Sequence, residues 1–125
     1  MNDFFFCLDI GGTNLKSALI NSSDEITSRF SSRNDRLDAN TLITHLRSHM
    51  AQYSNLLKDG RLRSAGISVA GIPTVDRKGI RATTHLKEGL LPISKIIEEE
   101  LGIPSLVEND GQCMALGEKF YGLAK

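Results

Sequence analysis

Apolar and polar positions change their spacing several times along the chain, and each change marks an element. Phe4-Phe5-Phe6-Cys7-Leu8 is apolar, Asp9-Ile10-Gly11-Gly12-Thr13 interrupts the run, and apolar character returns at Leu15 and in Ala18-Leu19-Ile20. Two strands joined by a tight glycine turn of positive φ are expected there. Asn21-Ser22-Ser23-Asp24 reads as a turn, residues 25–31 as a third, antiparallel edge strand, and residues 32–38 as a polar loop. From Ala39 onward Leu42, Ile43, Leu46, Met50, Tyr53, Leu56 and Leu57 recur at three- and four-residue spacing. That pattern predicts one long amphipathic helix, stopped by Gly60, covering one face of a sheet.

Residues 64–71 form a short apolar strand ended by glycine. Because a helix separates it from the first hairpin, it is expected to lie parallel to the first strand and beside it. Residues 72–79, with Pro73 and Gly79, read as a loop or loose hairpin, and residues 80–86 as a short extended piece. Leu90-Leu91-Pro92 opens a second helix with Ile93, Ile96, Ile97 and Leu101 inward and Gly102 at its end. Glu98-Glu99-Glu100 is then a solvated face. Ser105-Leu106-Val107 is a third parallel strand, followed by Glu108-Asn109-Asp110-Gly111 and a final helix over residues 112–121. A meander followed by alternating helix and strand predicts a mixed α/β sheet.

Composition narrows the chemistry. With 125 residues, 40% of them apolar, the chain is one domain with a real core. Fifteen basic residues balance fifteen acidic ones, so no electrostatic footprint for nucleic acid or an anionic membrane is visible. The first apolar run is too short for a signal core and follows Asp3 rather than a basic segment. A soluble, cytoplasmic protein is expected. Cys7 and Cys113 have no second thiol near them in sequence and read as reduced, buried thiols. His45 and His49 are four residues apart, but no carboxylate accompanies them at ligand spacing and they fall off the apolar stripe. They read as solvated.

The glycine turn is the first candidate site. Gly11 and Gly12 let a ligand approach the backbone N–H groups, Thr13 adds a hydroxyl, and Asp9 at the strand end is placed to hold a hydrated Mg²⁺. Neither Gly-x-Gly-x-x-Gly nor a following Gly-Lys-Ser/Thr is present, so this is not a dinucleotide or Walker loop. Asn109 and Asp110, where a parallel strand gives way to a helix, are the second candidate. Asp9, Gly71 and Asp110 should share the edge at the carboxyl ends of the strands, where open α/β sheets bind ligands. Asp110 is also good helix-capping chemistry.

Asp9-Ile10-Gly11-Gly12-Thr13-Asn14-Leu15-Lys16 resembles the first phosphate motif of the actin-like sugar kinases, in particular the ROK family (repressor, open reading frame, kinase). The segment from Glu108 through Asn109-Asp110 to Ala115-Leu116-Gly117-Glu118 is similar to that family's Asn-Asp helix, and closest to its N-acetylmannosamine kinases. Gly66-Ile67-Ser68 with Gly71, and Thr83-Thr84-His85-Leu86, fall at the spacing of the family's sugar-site segments. The resemblance implies an actin-like ATPase (ribonuclease H-like) α/β lobe whose mixed sheet starts with an antiparallel meander and carries helices on its faces. It implies Asp110 as catalytic base, with Gly71, Thr84, Asn109 and Asp110 on the sugar. Asp9, Gly11, Gly12, Thr13 and Lys16 would sit at the ATP phosphates, Asp9 holding Mg²⁺ through water.

Ala70 stands where many members have Pro, Ile72 where the mannosamine kinases carry Arg, and His85 in place of a common Asn, which leaves the sugar open among N-acetylmannosamine, N-acetylglucosamine and glucose types. Members of the family continue into a second lobe with a Glu-x-Gly-His motif, zinc-binding cysteines and most of the adenosine site. Residues 1–125 correspond to the N-terminal lobe alone, so structural zinc belongs to the absent lobe, the chain by itself should be a poor kinase, and its apolar last helix should favour a homo-oligomer. The other expectations are a non-catalytic sugar-binding or dimerisation fragment and a ROK-type regulator lacking its DNA-binding domain. Only Met1-Asn2-Asp3 precede Phe4, so the regulator is the less expected of these.

Overall fold

The computed structural model describes residues 2–34, 37–82 and 91–121. Among these described residues seven strands and four α-helices follow in the order β1 (Phe4–Ile10), β2 (Asn14–Asn21), β3 (Ile26–Arg33), α1 (Ala39–Met50), α2 (Ser54–Lys58), β4 (Leu62–Val69), β5 (Ile72–Pro73), β6 (Ile80–Ala82), α3 (Ile93–Leu101), β7 (Ser105–Asn109) and α4 (Asp110–Tyr121). The main sheet has the order β3-β2-β1-β4-β7, while β5 and β6 form a separate small hairpin. β1, β2 and β3 are the antiparallel meander, and β4 and β7 add in parallel, as the helical connections require.

Strand alternation sorts the two faces. Phe6, Leu8 and Ile10 of β1, Leu15 and Leu19 of β2, Ile67 and Val69 of β4 and Val107 of β7 point to one side and are buried. There they meet Leu42, Leu46 and Met50 of α1 and Ile93, Ile97 and Leu101 of α3 in a single core. Asp38 caps α1, its Oδ1 accepting from the Thr41 N–H at 2.8 Å, and Gly102 in the left-handed region ends α3.

The predicted long helix is in fact broken. α1 stops at Met50, a 3₁₀ turn covers Ala51–Tyr53, and the short α2 runs to Lys58 before Gly60 at φ 66°. The apolar stripe continues through the break, so Tyr53, Leu56 and Leu57 still pack against the core. The third strand extends to Arg33, beyond the expected residue 31, and α4 begins at Asp110 rather than residue 112. The acidic run of α3 is more than a wet face: Glu100 accepts two hydrogen bonds of 3.0 Å from Arg47 of α1, and Glu98 pairs with Lys78 at 3.4 Å.

His45 and His49 are not solvated. They are 1% and 3% exposed and lie between α1 and the meander. Ser17 Oγ is 2.8 Å from His45 Nε2 and 2.5 Å from His49 Nδ1; Ser32 Oγ is 2.5 Å from His45 Nδ1 and Ser28 Oγ 2.9 Å from His49 Nε2. Each of these four links needs one proton. Two neutral imidazoles supply two, Ser17 supplies one, and Ser28 or Ser32 supplies the fourth, so two uncharged histidines close the chain in either direction. Phe30 stacks on His49 with centroids 5.4 Å apart. The sequence reading failed because the hydroxyls that satisfy the rings come from β2 and β3, distant along the chain.

Candidate active site

Parallel register builds the site edge. Ile10 is paired with Val69 and Val69 with Asn109, so β1, β4 and β7 end in one row. One residue earlier, Lys16, Asp9, Ser68 and Glu108 are successive neighbours across four strands. Alternation turns this second row away from the core, onto the face opposite α1. Asp9 is exposed there, at the rim of an open groove of about 890 Å³ that Lys16, Ser68, Glu108 and Cys113 also line.

The glycine turn spans residues 11–13 and is closed by the Gly11 N–H donating to the Asn14 carbonyl at 3.0 Å. Neither glycine takes the positive φ expected of it, because a three-residue connection spreads the reversal. What Gly11 needs is closeness: a Cβ there would lie 3.3 Å from the Asn14 oxygen. Thr13 is exposed and its hydroxyl accepts from Asn14 Nδ2. The Ala70 N–H donates to the Ile10 carbonyl at 3.3 Å, which seats the end of β4 beside this turn.

Asn109 joins the remaining pieces. Its Nδ2 donates to the Gly71 carbonyl at 2.9 Å, and its Oδ1 accepts from the Gly111 N–H at 2.9 Å. Asn109 is therefore a cap of α4, the role expected of Asp110, which lies inside the first turn and also accepts from Gly111 at 2.8 Å. Glu108 accepts from the Asn109 N–H at 3.0 Å and pairs with Arg77 at 3.2 Å. Burial pushes the Cys113 thiol above its ordinary range, a hydrogen bond with Ser68 opposes this, and the carboxylates of Glu108, Asp110 and Asp9 add to the rise.

Asp9, Gly11, Gly12, Thr13, Gly71, Asn109 and Asp110 are brought to one edge, with Lys16 beside Asp9 in the register. Thr84 lies outside the described residues, as does the expected extension of residues 83–86. Ser68 and Glu108, which lay within the quoted motifs without a role, stand in the Asp9 row, and the Arg77 partner of Glu108 was not anticipated. Cys7 and Cys113 are free and half-buried, so reduced but less covered than expected. Among the described residues no His, Cys, Asp and Glu cluster is suited to a metal by itself, and no helix is long and apolar enough to cross a membrane.

This sheet order, with chemistry gathered at the carboxyl ends of its parallel strands, defines an actin-like α/β lobe. The chain belongs to the ROK family, which it matches over residues 5–125. It is 27% identical over 124 residues to a glucokinase of Halalkalibacterium halodurans, covering 92% of this chain and 36% of the relative. It is 32% identical to an uncharacterized protein of Clostridium perfringens, covering 97% of this chain and 41% of that one. The chain thus spans well under half the length of these curated relatives. A ROK family glucokinase from Streptomyces griseus, solved with glucose and AMPPNP, superposes with TM-score 0.79 at 23% identity over 98% of this chain and 38% of that one. A ROK family transcriptional regulator, a homologue of the E. coli MLC protein, superposes with TM-score 0.76 at 20% identity over 94% of this chain and 30% of that one.

Proposed function

We propose that residues 1–125 are the N-terminal lobe of an ATP-dependent sugar kinase acting on a hexose or N-acetylhexosamine. The observation that carries this reading is the parallel register that ends β1, β4 and β7 in one row, with Asp9 beside the glycine turn after β1 and Asp110 at the junction of β7 and α4. Asp110 accepts the proton of the sugar hydroxyl as its oxygen bonds to the γ-phosphorus of ATP and ADP leaves. Asn109, Gly71 and Thr84 hold the sugar. Gly11, Gly12, Thr13 and Lys16 face the phosphates, where backbone N–H groups and one cation offset their charge.

Mg²⁺ fits the residues present. Asp9 offers one exposed carboxylate, the oxygen chemistry and low ligand number that suit an ion bound chiefly by water and phosphate. When bound, the ion neutralises phosphate charge; Asp9 anchors it. Structural zinc belongs to the lobe beyond residue 125. The same reading makes the protein cytoplasmic and homo-oligomeric, with a free sugar as partner and neither nucleic acid nor membrane.

A second reading, a non-catalytic sugar-binding lobe of a regulator, is favoured by the likeness to the transcriptional regulator. The test is ATP-dependent phosphorylation of N-acetylmannosamine, N-acetylglucosamine and glucose by the intact protein and by residues 1–125, with mass measured by light scattering. The intact protein is expected to turn over one of these sugars, at on the order of 10 per second. Residues 1–125 should be inactive and self-associated, since Leu106 and Met114 are 58% and 72% exposed. Sugar binding without phosphorylation by the intact protein would favour the regulator.

A further inference from the structure

We infer that Asn34, which no motif singled out, is a positioning residue that braces the glycine turn to receive phosphate; the inference rests on the kinase reading above. Asn34 follows β3 directly and is 2% exposed. Its backbone N–H donates to the Thr13 carbonyl at 2.7 Å, and its side-chain Nδ2 donates to the Gly11 carbonyl at 3.1 Å. One residue therefore holds two carbonyls of a three-residue turn, from the β3 side. A carbonyl acceptor fixes the amide orientation, since only Nδ2 can donate. Oδ1 is buried and finds no partner among the described residues, so donation to Gly11 is what the side chain gains there.

Peptide geometry carries the consequence to the ligand. In a planar trans peptide the N–H points opposite to the carbonyl of the same unit, so drawing the Gly11 carbonyl toward Asn34 turns the Gly12 N–H the other way. That N–H has no hydrogen-bond partner among the described residues. An unpaired donor on a residue without a side chain is what a phosphate oxygen can use. Without the brace the Gly11–Gly12 peptide could rotate, and the cost of fixing it would fall on nucleotide binding.

The inference separates Asn34 from the sugar end. Gly71, Asn109 and Asp110 are held by contacts that do not involve it. Loss of its side chain should weaken the nucleotide and leave the sugar alone.

The experiment compares the intact kinase with Asn34→Ala and Asn34→Asp, the latter keeping the shape and losing the side-chain donor. Ser94→Ala, which removes a buried hydrogen bond to the Ser105 carbonyl far from the turn, is the control for general destabilisation. The KM for MgATP is expected to rise about tenfold in both Asn34 variants, with the sugar KM within about twofold of wild type and Ser94→Ala unchanged in both. Calorimetric binding of MgATP, which needs no turnover, should show the same loss. An unchanged MgATP affinity would overturn the brace, as would a parallel rise of both KM values shared by Ser94→Ala. If Asn34→Ala fails to fold, Asn34→Asp decides by the same criteria. A wild-type protein that binds MgATP but phosphorylates no sugar contradicts the kinase reading alone; one that binds no MgATP overturns both.

Discussion

Asp110→Asn in the intact kinase is expected to lower kcat by about a hundredfold or more, with the sugar KM and the melting temperature nearly unchanged. The split follows from how α4 is held. Asn109 keeps its bond to the Gly111 N–H whether or not residue 110 is charged, so the cap survives. Removing one negative charge from the first turn costs a few tenths of a kcal/mol. In the proposed kinase the amide would still hydrogen-bond a sugar hydroxyl but could not take its proton. Steady-state kinetics and a thermal scan of the variant check both halves. Wild-type turnover at an unchanged melting temperature would reduce Asp110 to a helix-start residue.

The second large effect is acid lability. Burial, and then the proximity of His49, lowers the His45 pKa from 6.5 to about 4, and burial lowers that of His49 as well. The folded state therefore holds fewer protons than the unfolded chain across this window. Stability is fully present above about pH 6.5, falls as pH drops, and has lost the whole contribution below about pH 4. At about 1.4 kcal/mol per unit, the shift from 6.5 to about 4 sets an upper bound of about 3 kcal/mol on the loss for His45. Among the described residues no carboxylate hydrogen-bonds either ring. Ser17, Ser28 and Ser32 face them from β2 and β3, Phe6 and Phe30 contribute rings, and Tyr53 lies 6.1 Å from His49. Urea midpoints of residues 1–125 between pH 7.5 and 4.5 should fall, and His45→Gln/His49→Gln should flatten that slope. An identical slope in the double variant would remove the histidines as its cause.

Local signals account for what the sequence made legible. The apolar run Phe4-Phe5-Phe6-Cys7-Leu8, the glycines at 11 and 12 and the helical spacing from Leu42 to Met50 each act within a few residues, and each element formed. Asp9, Gly71 and Asp110 could be placed on one edge because the right-handed crossover rule leaves one arrangement of the parallel strands. Contacts between distant segments were not legible. The His45–Ser17–His49 chain, the Asn34 brace and the Arg77–Glu108 pair all join residues that no window of sequence shows together. The break after Met50 is a different case: residues 50–54 hold neither Gly nor Pro, and the apolar stripe runs through it.

A crystal structure of the intact protein with its sugar and AMPPNP tests the central claim most directly. The account predicts one sugar hydroxyl within hydrogen-bond distance of the Asp110 carboxylate and facing the γ-phosphate, with the phosphates against residues 11–13 and Asp9 on their metal ion. A sugar seated away from Asp110, or a nucleotide bound without touching the glycine turn, would contradict it.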